Sequence, residues 1–199
     1  MQSAGTFFPL AIQKRLVTAV VSAGKVMSKE RVSNEKKNLN RLAGEFLVAS
    51  RLAQRGYMVT LQWGNTISYD ILAFDKAGNV AFIEVKTTAS YPGRWVLQKK
   101  YAHPEEDSIP LENRFICCVD VSSTEKEPSV YVFPAKVVAD GLHYYFNSKF
   151  PNSNSYHLSL KFKPQGRSKQ EGVKTVGEYI ESERYLEAFN LLGLVAVEN

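Results

Sequence analysis

The sequence predicts one α/β domain with a mixed central sheet flanked by helices. Short apolar, β-branched runs separated by turn residues occupy residues 57–134, and helical spacing of apolar residues precedes and follows them. The chain has 199 residues, of which 44% are hydrophobic and 23% charged. It is therefore long enough to bury one core, and its composition argues against disorder.

The N-terminal residues have the weakest pattern. Residues 6–24 show faint helical amphipathicity, and a basic pair precedes an apolar run that is short for a secretory signal. Met27 begins a polar segment that leads into a stronger helix, so it is an alternative start. We predict a partly helical N-terminal extension over residues 1–27 and one domain over residues 28–199. The helical pattern from about 175 to 192 predicts that this domain ends in a helix.

Cys117 and Cys118 are neighbours within one apolar strand pattern. Because successive strand residues point to opposite faces, we expect two reduced packing residues and no disulfide. The sequence has no apolar run of the roughly 18 residues that cross a bilayer. These features predict a cytoplasmic protein without a membrane partner. The net charge of +5 is compatible with a polyanionic partner.

The first strong element is a helix predicted from about Asn38 to Gln54, followed by a glycine that can end it. Its expected packing face contains Leu42, Phe46, Ala49 and Ala53. Glu45 shares an apolar stripe with Leu42, Ala49 and Leu52, and a charge there is costly unless it is paired or binds a ligand. Glu45 has two possible explanations. It can form an ion pair with Arg41, one helical turn earlier, or it can be a third acid of a site that it shares with other acids.

Strand patterns over residues 69–74 and 79–88 are joined by turn residues and predict a hairpin. Asp70 and Glu84 lie at equal distances from the turn, so a tight hairpin brings the two carboxylates together. Further strands are predicted over residues 57–63, 114–121, 129–134 and 156–162, and a short helix over residues 135–142.

The run over residues 82–88 contains an acid and a lysine two positions apart. Strand alternation places Glu84 and Lys86 on one face, as either a solvated ion pair or part of a site. With Asp70 opposite and Glu45 on the helix, three carboxylates are expected to converge, and they repel unless a proton or cation joins them. Mg²⁺ takes one or two carboxylates and keeps several waters. With a lysine nearby, this pattern indicates metal-dependent hydrolysis of a phosphodiester.

These residues resemble the PD-(D/E)XK nuclease superfamily, particularly its Holliday-junction-resolvase-like and restriction-like branches. The resemblance runs through residues 44–57 and 69–88, extends loosely to about 140, and covers about half of the chain. It implies a restriction-endonuclease-like core: a helix, a three-stranded antiparallel meander, a helix and a further strand. The proline that names the motif is absent, since Tyr69 precedes Asp70.

The resemblance also implies a role for each site residue. Asp70 and Glu84 are expected to bind the metal, with the carbonyl oxygen of Val85 as a further ligand. Lys86 is the expected catalytic lysine, and Glu45 corresponds to the additional catalytic and metal-binding acid that many members carry on the first helix. The implied cofactor is Mg²⁺, with Mn²⁺ as a substitute, and the implied substrate is DNA.

Several basic residues are candidate DNA contacts because cations neutralise phosphates. They are Arg41, Arg94, Lys99, Lys100, Lys163 and Arg167. Tyr91, Trp95 or Tyr101 can stack on an unpaired base, although Trp95 fits the core better.

No zinc-finger or helix-turn-helix pattern supplies sequence specificity. We therefore predict a structure-selective or partner-guided endonuclease, with a homodimer and a protein partner that supplies target specificity as the possible assemblies. The alternative is a catalytically silent nuclease-fold protein that binds DNA or a protein partner.

Overall fold

The computed structural model describes residues 34–63, 68–106, 108–153, 156–161 and 172–196. The chain divides into two compact units, Met1–Leu39 and Asn40–Asn199. Of the first unit only residues 34–39 are described, and they are helical. The predicted extension over residues 1–27 lies outside the described residues.

The second unit is built around two sheets. Its strands are β1 (Met58–Leu61), β2 (Ile71–Phe74), β3 (Val80–Thr88), β4 (Arg94–Val96), β5 (Arg114–Asp120), β6 (Ser129–Pro134) and β7 (His157–Ser159). The larger sheet has the order β1-β2-β3-β5-β6, and β4 pairs with β7 in a separate two-stranded sheet. β1, β2 and β3 form an antiparallel meander, β5 runs parallel to β3, and β6 is antiparallel to β5. The predicted mixed sheet is confirmed.

Helices lie on both faces of the large sheet. They are α1 (residues 40–54), α2 (Ala135–Leu142) and α3 (Val176–Tyr179). A π-helix, His143–Lys149, continues α2. The described part of the β3–β5 connection contains β4 and three short 3-10 helices, where the resemblance implies an α-helix. Within the described ranges, no helix combines the length and the apolar character needed to cross a membrane.

Each face of the large sheet has its own hydrophobic core. On one face Val48 and Leu52 of α1 pack with Ile71, Ile83 and other strand residues. On the other face the core includes α2 and the residues that surround Trp95. The two neighbouring cysteines of β5 are free and buried, and they belong to different cores, which agrees with the predicted alternation.

The face that α1 turns to the sheet is the predicted stripe of Glu45 and Leu52, and the predicted packing of Phe46 is wrong. Its buried residues include Gly44, Glu45, Val48 and Leu52, whereas Phe46 is 48% exposed. The physical reason is close approach: a Cβ at position 44 would overlap the hydroxyl oxygen of Thr87 on β3, so only glycine lets the helix lie so near the strand. Helical spacing alone did not indicate which of the two stripes packs.

The predicted helix over residues 175–192 is only partly correct. Within that segment α3 is a single turn, and the short 3-10 helices Ser182–Tyr185 and Phe189–Leu192 follow it. Glu187 has a positive φ, and its N–H donates to the carbonyl of Val130 on β6. Pairing with the edge of the sheet therefore replaces helix continuation in this segment.

Candidate active site at the β2–β3 hairpin

The β2–β3 hairpin places Asp70 beside β3. Ile71 pairs with Ile83, and the register continues to Phe74 opposite Val80, as the equal distances from the turn predict. Asp70 immediately precedes β2, and its N–H donates to the carbonyl of Ile83 at 2.9 Å. Its Oδ2 accepts the N–H of Val85 at 2.7 Å. The backbone of one hairpin strand thus fixes the carboxylate of the other.

Glu84 is held by three side chains on the same side of the sheet. The ammonium of Lys86 lies 2.7 Å from its Oε1, and that of Lys100 lies 3.7 Å from its Oε2. The hydroxyl of Tyr101 also donates to Oε1. Two of these partners come from the short helix Lys99–Ala102 in the β3–β5 connection, so the crossover completes a site that the hairpin begins.

Glu45 reaches the same region from α1. Its side chain is buried, and its Oε1 lies 2.5 Å from the guanidinium of Arg41. It is also close enough to Asp70 for the two carboxylates to repel electrostatically. The two explanations weighed for this acid therefore coexist: Glu45 is ion-paired within its helix and faces a second acid.

Burial makes Glu45 and Asp70 costly to ionise. Burial raises the pKa of Glu45 above its usual range, Asp70 adds to the rise, and Arg41 offsets part of it. Burial also raises the pKa of Asp70, against the opposing effects of the Val85 N–H and the Lys86 ammonium, while Glu84 adds to the rise. Neighbouring buried acids with raised pKa values are a common feature of functional sites.

The donor chemistry fits a hard divalent cation with two protein carboxylates. Among the described residues, no group of three or more His, Cys, Asp or Glu side chains is arranged to hold a metal ion. The carboxylates of Asp70 and Glu84 are nevertheless oxygen ligands of the kind that Mg²⁺ accepts. The backbone carbonyl of Val85, which follows Glu84 on β3, is a third such ligand. A cation beside them would offset the repulsion between the two carboxylates.

The other predicted contact residues are distributed unevenly. Arg41 is exposed and pairs with Glu45. Lys99 and Lys100 are exposed on the short helix Lys99–Ala102, from which Lys100 reaches Glu84. Arg94 is half-buried on β4. Lys163 and Arg167 lie outside the described residues.

Of the predicted stacking residues, Tyr91 is 56% exposed. Trp95 is buried, as expected, and its indole N–H donates to the carbonyl of Val119. Tyr101 is also buried, so neither of these two rings can take a base without rearrangement.

Comparison with known proteins finds similarity among solved structures alone. No protein-family model matches the chain, and no curated protein matches it. Among solved structures, the chain is similar to a bacterial homing endonuclease with a TM-score of 0.43 and 21% identity. The alignment covers 78% of this chain and 91% of that chain. The likeness assigns no activity to this chain.

Two features of the site were missed by sequence reasoning. Tyr101 is a predicted stacking residue, but it binds Glu84, which lies 17 positions earlier in the chain, and no local pattern indicates this contact. Phe46 was assigned to the core and Trp63 to a strand, but both rings are exposed and contact each other. The position of Trp63 next to a predicted loop is the one sequence feature that could have indicated its exposure.

Proposed function

We propose that the chain is a metal-dependent endonuclease of the PD-(D/E)XK type that hydrolyses phosphodiester bonds in DNA. The observation that carries the proposal is the packing of Asp70, Glu84 and Lys86 at one hairpin position. Asp70 is fixed by the backbone of β3, and Glu84 and Lys86 project from the same face of that strand in direct contact. Two carboxylates that can hold a metal ion, with a lysine in contact with one of them, can support hydrolysis of a phosphodiester.

In this proposal Asp70 and Glu84 hold Mg²⁺ or Mn²⁺, together with the carbonyl oxygen of Val85. A bound divalent cation polarises the phosphate and lowers the pKa of a coordinated water. Glu45 is next to Asp70 and is the proposed third acid, which accepts a hydrogen bond from water at the edge of the site. These assignments rest on donor chemistry and on the family resemblance.

Lys86 has the proposed catalytic role. An ammonium has three N–H donors, of which Glu84 accepts one, so another can reach a phosphate oxygen or the attacking water. The contact with Glu84 orients the lysine before substrate arrives. The positive charge then stabilises the charge that develops on the phosphate oxygens in the transition state.

The proposed substrate is DNA bound through exposed cations around the acids. Arg41 has a side chain that is 52% exposed, and the Lys100 side chain is 49% exposed. Both are paired with acids, and a phosphate can take over part of that pairing. Arg94, Lys99, Lys163 and Arg167 remain proposed contacts. Structure selectivity, a homodimer and a guiding protein partner also remain proposals.

The decisive test is metal-dependent cleavage by the wild-type protein and by Lys86→Ala. Single-stranded, duplex, flapped and four-way-junction DNA are incubated with Mg²⁺, Mn²⁺ or EDTA. We expect metal-dependent cutting that falls about 100-fold or more in Lys86→Ala, because a positioned catalytic group contributes at least that much. The matched control is Lys136→Ala, which removes an exposed lysine that is paired with an acid on α2. Equal cutting by Lys86→Ala and wild type would refute the role of Lys86.

A second candidate function is binding of DNA without cleavage. Two observations favour it. Three side chains already bind the Glu84 carboxylate, where a metal ion would compete with them. No group of three acids among the described residues is arranged to hold a metal ion. Calorimetric titration of Mg²⁺ distinguishes the candidates, using wild type and the double variant Asp70→Asn with Glu84→Gln. The nuclease proposal predicts Mg²⁺ binding that the double variant loses, whereas the silent binder shows no metal binding and equal DNA affinity in both.

A further inference from the structure

Two exposed aromatic rings belong to residues that are close in sequence or backbone pairing to the candidate acids. Trp63 is 68% exposed and Phe46 is 48% exposed, although both residue types are mostly buried in folded proteins. Their ring centroids are 6.2 Å apart and the rings are tilted by 58°, so neither ring is stacked on the other. The broad face of the tryptophan is therefore not covered by its aromatic neighbour.

The position of this pair ties it to the acids. Phe46 directly follows Glu45 on α1. Trp63 directly follows Gln62, whose N–H donates to the carbonyl of Asp70 at 2.9 Å. Both rings are thus one residue away from backbone positions that hold the candidate acids, on two different elements. This placement makes the aromatic pair a candidate contact for a nucleotide that neighbours the phosphate at the site.

The cations next to the candidate acids favour a nucleic acid over an apolar protein segment as the ligand. Arg41, Lys86 and Lys100 contribute three cations next to the acids, and the last two also lie over the ring of Tyr101. Cations for the phosphates next to aromatic faces for the bases are the combination that binds unpaired nucleic acid. A base inside a regular duplex has both faces stacked, so it cannot use such a platform.

We propose that Phe46 and Trp63 form a stacking site for an unpaired base of DNA next to the phosphodiester bond that is cut. The inference rests on the proposed nuclease function and names its substrate class: DNA with an unpaired base at the cleavage position. Because every base has a flat face, the site selects the shape of the DNA and tolerates different sequences.

The chain contains two tryptophans, which provides a direct readout. Trp95 is buried with its indole N–H bonded, so it serves as an internal reference, and Trp63 reports on the exposed site. Tryptophan fluorescence is measured in EDTA while two duplexes are titrated, identical except for one unpaired adenine. We expect quenching by the duplex with the unpaired base, no quenching by the perfect duplex, and no signal change in Trp63→Phe.

Affinity measurements complete the test. Phe46→Ala and Trp63→Ala are expected to weaken binding of the duplex with the unpaired base roughly tenfold, and Trp63→Phe to restore most of it. Binding of the perfect duplex is expected to stay the same. The matched control is Val195→Ala, which truncates a side chain that is 64% exposed next to Asp75, at the opposite end of the hairpin.

The outcomes separate the two proposals. Binding of DNA with no change in Trp63 emission overturns the stacking site and leaves the nuclease proposal standing. Quenching by the unpaired base, without cleavage in Mg²⁺ or Mn²⁺, supports stacking of an unpaired base on Trp63 but overturns the nuclease proposal and, with it, the placement of that base at a cleavage position. Absence of binding to either duplex overturns both.

Discussion

Tyr101 connects the candidate catalytic residues at the level of single side chains. Its hydroxyl donates to Glu84, and the ammonium groups of Lys86 and Lys100 lie 5.3 Å and 5.0 Å from its ring centroid. Burial, followed by the adjacent Glu84 charge, raises the pKa of this phenol well above its usual range, so it stays protonated and remains a donor. One buried ring therefore positions an acid and two cations.

Replacement of Tyr101 by Phe tests this positioning role. The variant keeps the ring and its contacts with both ammonium groups but loses the donor to Glu84. If the nuclease proposal holds, the Mg²⁺ concentration for half-maximal cleavage should rise about tenfold, because partners of metal-binding groups typically contribute that much. Cleavage is measured against Mg²⁺ concentration, with unfolding in urea to check that the fold is retained.

The matched control for Tyr101→Phe is Tyr179→Phe, which removes a hydroxyl from a partly exposed tyrosine that stacks on Tyr144. An unchanged Mg²⁺ dependence in Tyr101→Phe would show that Glu84 is positioned without this donor.

At the level of elements, the approach of α1 to β3 determines where Glu45 lies. Gly44 allows the contact, and the hydroxyl oxygen of Thr87 beneath it is buried with no hydrogen-bond partner among the described residues. An unsatisfied buried hydroxyl destabilises the fold. The same close contact brings a helix acid next to Asp70, so the candidate site and this local loss of stability have one structural cause.

Replacement of Gly44 by Ala should disrupt this contact. The added methyl group overlaps Thr87, and overpacking typically costs about 1–3 kcal/mol. The gain in helix propensity offsets up to about 1 kcal/mol of this loss. We expect a net decrease in the free energy of unfolding of about 1–2 kcal/mol, measured by urea denaturation.

Two further variants control for this effect. Ser50→Ala changes an exposed residue of the same helix and should leave stability unchanged or slightly higher. In the double variant Gly44→Ala with Thr87→Ala, the removed side chain makes room for the methyl group, so part of the lost stability should return. Equal stability of Gly44→Ala and wild type would show that the helix can move away at no cost.

On the scale of the whole unit, the C-terminal segment is attached to the far end of the hairpin. Asp75 is buried in the β2–β3 turn, where its Oδ2 accepts the N–H of Val195 at 2.8 Å. Its carboxylate also accepts both the backbone and the side-chain N–H of Asn79. Glu187 makes a similar attachment, since it pairs with Arg51 and Arg55 of the α1 region.

Asp75 should make the stability of the protein depend on pH. The Val195 N–H, and after it Asn79, hold the pKa of Asp75 below its usual range. A carboxyl group with a lowered folded pKa stabilises the fold above its unfolded pKa of about 3.9, and this contribution is lost as the pH falls through the folded value. We expect Asp75→Asn to unfold at a lower temperature than wild type at pH 7, with a gap that narrows towards pH 3.

Thermal unfolding of both proteins across this pH range measures the gap. Asp140→Asn is the control, because Asp140 is exposed on α2 and its partner is a surface lysine. A gap that stays constant with pH would show that the charge of Asp75 does not link the C-terminal segment to the hairpin.

Local patterns determined a large part of this protein. Strand alternation and turn residues set the hairpin register that places Asp70 beside β3, because both depend on residues close together in the chain. The same alternation separated Cys117 and Cys118 into two cores. The mixed sheet was predicted from the succession of helices and short apolar runs, whereas the order of its strands came from the structure.

Only the tertiary structure decided which side of α1 packs, which residues hold Glu84, and how the C-terminal segment runs. Two stripes of α1 are apolar, and a close approach at Gly44 selects between them. Tyr101 and Lys100 reach Glu84 through the β3–β5 connection, and Glu187 leaves the helical pattern to pair with β6. These contacts join residues that are distant in the chain, so their energies do not appear in any local pattern.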